Sequence, residues 1–254
     1  MEFKPAKKSI ARTALSLLSV GAITLLTSCS SENISGMGFP KGVSSVTETS
    51  LPLWQGAWIA AGVVGIFTAV LIMWPVFRYR RKGDEVPKQT QYNILVEISY
   101  TIIPFIIVAV LFYFTAVKES TITKVSAADK ISHVIDVNGF QWSWQFTYRD
   151  NPVAPTITGT PAKPPVLVLP KGERVRFNIN STDVVHGFWI PAFMIQMQNL
   201  PGVENHLEFT ANKIGTYPGR CNILCGRNHS QMLFKVKVVS PSAYQKYISN
   251  LKAA

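Results

Sequence analysis

Two apolar stretches, residues 54–77 and 94–117, leave this chain few choices. A helix needs about 20 residues to cross the hydrocarbon of a bilayer, and each stretch is long enough. Lipid offers no hydrogen bonds to a backbone, so a spanning segment must satisfy its own, as a helix does. Trp54 and Trp58 sit at one end of the first stretch, with Trp74 and Tyr79 at the other. Aromatic rings favour such interfacial positions. Pro104 lies within the second stretch, where neighbouring groups in a membrane bundle can re-satisfy the freed carbonyl. The connection carries Arg78, Arg80, Arg81, Lys82 and Lys88. Basic connections stay in the cytoplasm, so residues 53–117 are expected to form a two-helix transmembrane hairpin with both ends outside.

The start of the chain argues independently for the same topology. Lys4, Lys7, Lys8 and Arg12 precede an apolar segment at residues 14–26 that is too short to span well. Leu26-Thr27-Ser28-Cys29 has the form of a lipoprotein cleavage box. Residues 1–28 are therefore expected to be a lipoprotein-type signal peptide, and Cys29 the acylated first residue of the mature chain. Ordinary cleavage and retention as an anchor are the alternatives. Residues 29–52 read as a polar outer segment. Composition fits a membrane protein, with 47% apolar and 15% charged residues. The net charge of +11 comes without a basic helix or an RNA-binding aromatic pattern. Membrane lipid is the expected partner, and nucleic acid is not.

Beyond residue 118 the pattern changes to short runs at 134–137, 142–148, 166–169, 174–179, 203–209 and 233–239. Gly, Pro and Asn separate them, which reads as an all-β sandwich or barrel. Residues 151–165 carry five prolines and read as a long loop. Residues 242–251 are expected to be a terminal helix, with Pro241 at or just before its first turn.

The chemistry concentrates in Cys221-Asn222-Ile223-Leu224-Cys225-Gly226-Arg227-Asn228-His229-Ser230-Gln231-Met232. Two thiols, an imidazole and a thioether suit copper, and His186 is a further imidazole upstream. Taken alone, two cysteines in an oxidising compartment more often form a disulfide. A disulfide has no use for His229 and Met232, and zinc seldom takes Met. A single-copper electron-transfer site uses one Cys. The second thiolate would allow two sulfurs to bridge two coppers. His133 and His206 have no ligand-like context and read as surface or supporting residues.

The two-helix hairpin, Gln141-Trp142-Ser143-Trp144, Ser181-Thr182-Asp183-Val184-Val185-His186, and residues 219–232 occur in an order that resembles subunit II of haem–copper cytochrome c oxidases. The resemblance covers most of the mature chain. It implies an all-β cupredoxin-like Greek-key barrel over residues 118–254, outside the cell membrane, preceded by the hairpin. It implies two copper ions in a binuclear copper A centre. Cys221 and Cys225 would bridge both ions. His186 and Met232 would complete one, and His229 with the backbone carbonyl of Ile223 the other. Family members usually have Glu where Ile223 stands, and its side chain helps hold magnesium. No magnesium ligand is assigned to this chain.

The resemblance also marks Trp142 as the residue that receives electrons from cytochrome c. It marks Glu97 as a carboxylate near the mouth of a proton channel of subunit I; the plain reading of Glu97 is a side chain snorkelling to the interface. Implied partners are subunit I, subunit III and a cytochrome c. Many relatives have Asp where Gln198 stands. Residues 118–254 hold 15 basic and 8 acidic side chains, roughly +7. Such a field favours an acidic cytochrome, or one tethered to a cytochrome bc complex, over a lysine-ringed soluble one. Quinol oxidase subunit II shares the hairpin and barrel but lacks the copper ligands. A Sco-type copper chaperone shares Cys-x-x-x-Cys but has one anchor and a distant His. A nitrous oxide reductase copper domain would lack the hairpin.

Overall fold

The structure, a computed structural model, describes residues 36–84, 86, 89–153 and 155–251. The expected signal peptide, Cys29 and Lys88 lie outside the described residues. The chain forms two units, residues 1–41 and 42–254. In the first, Phe39 N–H donates to the Gly36 carbonyl at 3.1 Å, closing a turn.

The second unit begins with two long helices, α1 (Ser45–Arg78) and α2 (Ile94–Ile122). Their large apolar side chains, among them Phe67, Ile72, Phe105 and Phe112, face outward. In water that surface would be costly; in lipid it is the stable arrangement. α1 starts well before the apolar stretch because Ser44 caps it, accepting from Thr47 N–H. Glu48 in the first turn complements the helix dipole.

The polar outer segment expected up to residue 52 is corrected at its C-terminal end. Val43, Ser44, Val46, Thr47 and Leu51 are buried. Ser44 Oγ donates to the Phe193 carbonyl at 3.2 Å, Ser45 Oγ accepts from Thr210 N–H at 3.1 Å, and Glu48 accepts from Asn212 Nδ2 at 2.9 Å. Each partner lies some 150 residues away along the chain, so local composition could not reveal the docking. After α2, a buried Glu208 pins the chain. It accepts from Ser126 N–H at 3.1 Å and pairs with Arg174 and Arg176.

Ten strands follow: β1 (His133–Phe140), β2 (Ser143–Tyr148), β3 (Thr156–Thr158), β4 (Val166–Pro170), β5 (Arg174–Ser181), β6 (His186–Ile190), β7 (Ile195–Asn199), β8 (Asn205–Thr210), β9 (Gly215–Cys221) and β10 (Leu233–Val239). The expected barrel takes the form of two five-stranded sheets, β3-β2-β1-β5-β8 and β4-β10-β9-β6-β7. Alternation is strict in β1 and β5, whose odd-numbered residues point inward. Between the sheets lie Trp144, Phe146, Phe177, Phe188, Phe209 and Phe234, all essentially inaccessible. Phe188 of β6 stacks on Phe234 of β10 at 4.9 Å, and Phe146 of β2 meets both edge-on. Burial of each such ring contributes about 1.5–3 kcal/mol.

Four strands escaped the sequence pattern. β6 reads His-Gly-Phe-Trp-Ile and is buried at four of its five positions, so it shows no alternation. β7 is short. β9 contains Pro218 and two glycines. β3 lies in the proline-rich insert, at a sheet edge, where the neighbouring prolines do least harm.

The terminal helix α3 (Pro241–Asn250) is capped by Ser240 and starts with Pro241, as expected. It buries Tyr244 and Ile248. His133, expected as a surface or supporting residue, is only 6% exposed. Its Nδ1 lies 2.7 Å from Asp150 and its Nε2 2.6 Å from Glu173. The Tyr244 ring meets it edge-on at 4.8 Å, and the Tyr244 hydroxyl donates to Asp150 at 2.8 Å.

Candidate metal centre

The stretch from Cys221 to Met232 is the connection between β9 and β10. The sheet clamps its two ends, because Cys221 N–H donates to the Met232 carbonyl at 3.0 Å. Between them the chain turns back through a short 3-10 helix at His229–Gln231. His229 N–H reaches the Gly226 carbonyl at 3.2 Å, and Met232 N–H the His229 carbonyl at 3.2 Å. Gly226 has φ +123°, and a Cβ there would also press on Gln141 Nε2 and Trp142 Nε1 at about 3 Å. β6 delivers His186 from the neighbouring strand. Gly139 of β1 leaves room for that ring, since a Cβ there would lie 3.0 Å from His186 Cδ2.

The side-chain donors converge. A His186 ring nitrogen, Cys221 Sγ and Cys225 Sγ lie within 4.8 Å of one another. The two sulfurs are 3.7 Å apart and unbonded. That is far beyond the roughly 2.05 Å of a disulfide. Cys225 Sγ is 3.5 Å from His229 Nδ1 and 3.7 Å from Met232 Sδ. The Ile223 carbonyl faces Cys221 Sγ at 3.2 Å. Cys221, Cys225, His186 and Met232 are all buried. Thus the structure gathers the five expected side-chain donors and the expected carbonyl at one end of the sandwich.

Burial alone would raise the Cys221 thiol. The adjacent His186 ring and the Gly187 N–H at 3.4 Å outweigh it and hold Cys221 at about 6. Burial and the negative Cys221 sulfur push Cys225 up to about 12. The pair thus gives up one proton readily and the second reluctantly, and a bound cation would displace both.

His186 Nε2 bonds Asp183 Oδ1 at 2.8 Å. Its other nitrogen, Nδ1, is buried with no hydrogen-bond partner. A buried ring nitrogen without a hydrogen-bond partner, beside two thiols, can take a metal.

Trp142 is half-buried over the same loop. Its indole N–H donates to the Cys225 carbonyl at 3.2 Å, and Gln141 Nε2 donates to the same oxygen at 2.8 Å. Glu97 is elsewhere, in the first turn of α2, where its carboxylate accepts from Asn93 N–H at 3.2 Å. Sequence reasoning missed Asp183 and Gln141 as parts of the site. The only available signal was their place inside the quoted motifs.

Known proteins resemble the chain along nearly its whole length. The model of "Cytochrome C oxidase subunit II, periplasmic domain" matches residues 163–239, and that of "Cytochrome C oxidase subunit II, transmembrane domain" matches residues 32–116. A probable cytochrome c oxidase subunit 2 of Streptomyces avermitilis is 36% identical, over 96% of this chain and 88% of its own. The chain belongs to the cytochrome c oxidase subunit II family. The cytochrome c oxidase subunit 2 of Mycobacterium tuberculosis is 32% identical over 90% of this chain and 79% of its own. A crystal structure of the periplasmic domain of subunit II of cytochrome oxidase of Bradyrhizobium japonicum is 28% identical, with a TM-score of 0.45, covering 48% of this chain and 94% of that one.

Family membership makes this a membrane-anchored subunit of an oxidoreductase complex, with a periplasmic C-terminal domain. It also implies a copper A centre. The donors fit that group: two thiols close enough to share a metal, two imidazoles, a thioether, and a His186 nitrogen left bare.

Proposed function

We propose that this chain takes electrons from a cytochrome c and hands them to haem a of subunit I, where oxygen is reduced to water and protons are pumped. The observation that carries this reading is the buried, unpartnered His186 Nδ1 beside two unbonded thiols. In this reading the site holds two copper ions. Cys221, Cys225, His186, His229, Met232 and the Ile223 carbonyl would hold them. Copper so held would supply a one-electron couple, and transfer through it would be fast if little rearranged.

The protein's part is to keep that rearrangement small. The β9–β10 clamp and the Trp142 and Gln141 bonds to Cys225 hold the ligand loop at fixed length. Trp142 is the receiving residue, half-exposed on the outside and bonded to a ligand residue on the inside. Ile223 offers copper its carbonyl and offers magnesium no side chain. None of these groups can carry out oxygen chemistry, which belongs to subunit I. Subunit III is a further partner. Gln198 is exposed on β7 and adds no negative charge to a basic domain, so the donor is an acidic or tethered cytochrome. High activity with a basic soluble cytochrome, rising as salt is lowered, would exclude that donor.

The test is copper loading of the full-length chain in detergent. Two coppers per chain with a seven-line mixed-valence resonance signal are expected. One copper with a four-line signal, or a Cys221–Cys225 disulfide that copper cannot displace, would refute the assignment.

A further inference from the structure

Asp183 is the side chain through which two separate parts of the site are tied. Its Oδ1 accepts from His186 Nε2 at 2.8 Å and from Val184 N–H at 2.6 Å. Its Oδ2 accepts from Gln141 N–H at 2.6 Å. Gln141 and Trp142 in turn both donate to the Cys225 carbonyl. One carboxylate therefore holds His186 from β6 on one oxygen and the Gln141–Trp142 turn between β1 and β2 on the other. We propose that Asp183 is a positioning residue that sets the ligand nitrogen of His186 and the seat of Trp142 together. The proposal rests on the copper reading above.

An ionised carboxylate only accepts, so the imidazole proton must stay on Nε2. With Nε2 held by Asp183, Nδ1 is the ring nitrogen open to a metal, and the plane of the ring is fixed. The same carboxylate takes the Gln141 backbone proton. Without it, that N–H loses its partner and the turn loses its attachment to the β5–β6 connection. The Trp142 indole would then hold to Cys225 only through its own bond and that of the Gln141 amide. No other carboxylate contacts either Gln141 or His186 among the described residues.

An amide cannot replace the carboxylate. Asp183→Asn fills the same space, but it presents one acceptor and one donor to the three donors His186 Nε2–H, Val184 N–H and Gln141 N–H. Either Gln141 N–H or His186 Nε2–H must face an NH2 group. In the second case the proton is driven onto Nδ1, where it blocks the metal.

The experiment uses the full-length chain in detergent as wild type, Asp183→Ala and Asp183→Asn. In metal-free protein the proton resonance of the Trp142 indole N–H reports the seat on Cys225. Copper titration of the same samples reports the His186 lone pair. Asp183→Ala should shift the indole resonance and weaken copper binding about tenfold or more. Asp183→Asn should show at least one of the two changes. A role in stability alone would lower the melting temperature and leave both readouts in place, which would overturn the proposal. If Asp183→Ala does not fold, Asp183→Asn decides. If the wild type itself takes up no copper, the copper reading fails, while an indole resonance unchanged in both variants separately refutes the positioning of Trp142.

Discussion

His186 and His133 make a controlled comparison within one β domain. Both rings are buried, and both touch carboxylates. At His133 both nitrogens are within 2.7 Å of a carboxylate oxygen, which favours the doubly protonated ring and raises its pKa. In that form it has no lone pair to offer a metal. At His186 only Nε2 meets a carboxylate; Nδ1 has no oxygen or nitrogen partner, and the ring lies beside Cys221 and Cys225. Burial and an acidic neighbour therefore do not make a histidine a ligand. What decides the matter is whether the second nitrogen has a partner. One ring is a strut that holds α3 to β1 through Tyr244 and Asp150, and the other keeps a nitrogen open to a metal.

The sharpest way to break the comparison is to remove each ring. His186→Ala should abolish the two-copper signal while the domain stays folded. His133→Ala should leave copper stoichiometry intact but strand two carboxylates, at a cost of about 3 kcal/mol. That cost should appear as lost hydrogen-exchange protection at Tyr244 and Ile248 in α3. A His133→Ala protein that lost copper with α3 fully protected would collapse the distinction.

Trp142→Ala sharpens the metal half. It should slow oxidation of a reduced cytochrome several-fold and leave the copper signal in place. Wild-type speed with copper intact would exclude Trp142 as the receiving residue.

The strut half has a pH signature. Burial would lower the His133 pKa, but hydrogen bonds and charges from Asp150 and Glu173 outweigh it and raise it above 6.5. Burial would raise Asp150, but His133 and Tyr244 outweigh it and lower it below 3.8. A raised base stabilises fully below its unfolded value and loses that contribution as pH climbs through its folded value. A lowered acid contributes above its unfolded value and loses it as pH falls through its folded value. Protection of α3 should therefore be greatest between these limits and decline on the alkaline side. The alkaline decline should be missing in His133→Gln, and its persistence there would point to another group.

The smallest effect is expected at Glu97. Glu97→Ala removes its bond to Asn93 N–H at the start of α2, at a cost of about 0.5–1 kcal/mol. If Glu97 also serves a proton path, turnover of the complex should slow with copper unaffected. Unchanged turnover across pH would leave Glu97 with the helix start alone.

Much of this was legible in the sequence because the relevant signals are local. Apolar length gave α1 and α2, and alternation gave β1, β2, β5 and β10. Pro241 marked the start of α3. Four donors within twelve residues marked the ligand loop. The missed strands lack a local signal: β6 is buried nearly throughout, and β9 is broken up by Gly and Pro. The docking of residues 43–51 rests on partners some 150 positions away. That His133 takes the supporting and not the surface place was hidden for the same reason, since Asp150 and Glu173 approach it only in the folded chain.

By itself, then, the sequence determined the membrane hairpin, the β domain and the identity of the soft donors. Those follow from hydrophobic length, period and side-chain chemistry, which neighbours along the chain carry. Which ring nitrogen faces the thiols was decided by packing, because Cys221 and Cys225 reach His186 only through the pairing of β6 with β9. A ring nitrogen is a ligand or a strut according to what lies within about 3 Å of it. At His186, Asp183 is only three residues away on the same connection, and the β9–β10 loop arrives because β6 pairs with β9 within one sheet.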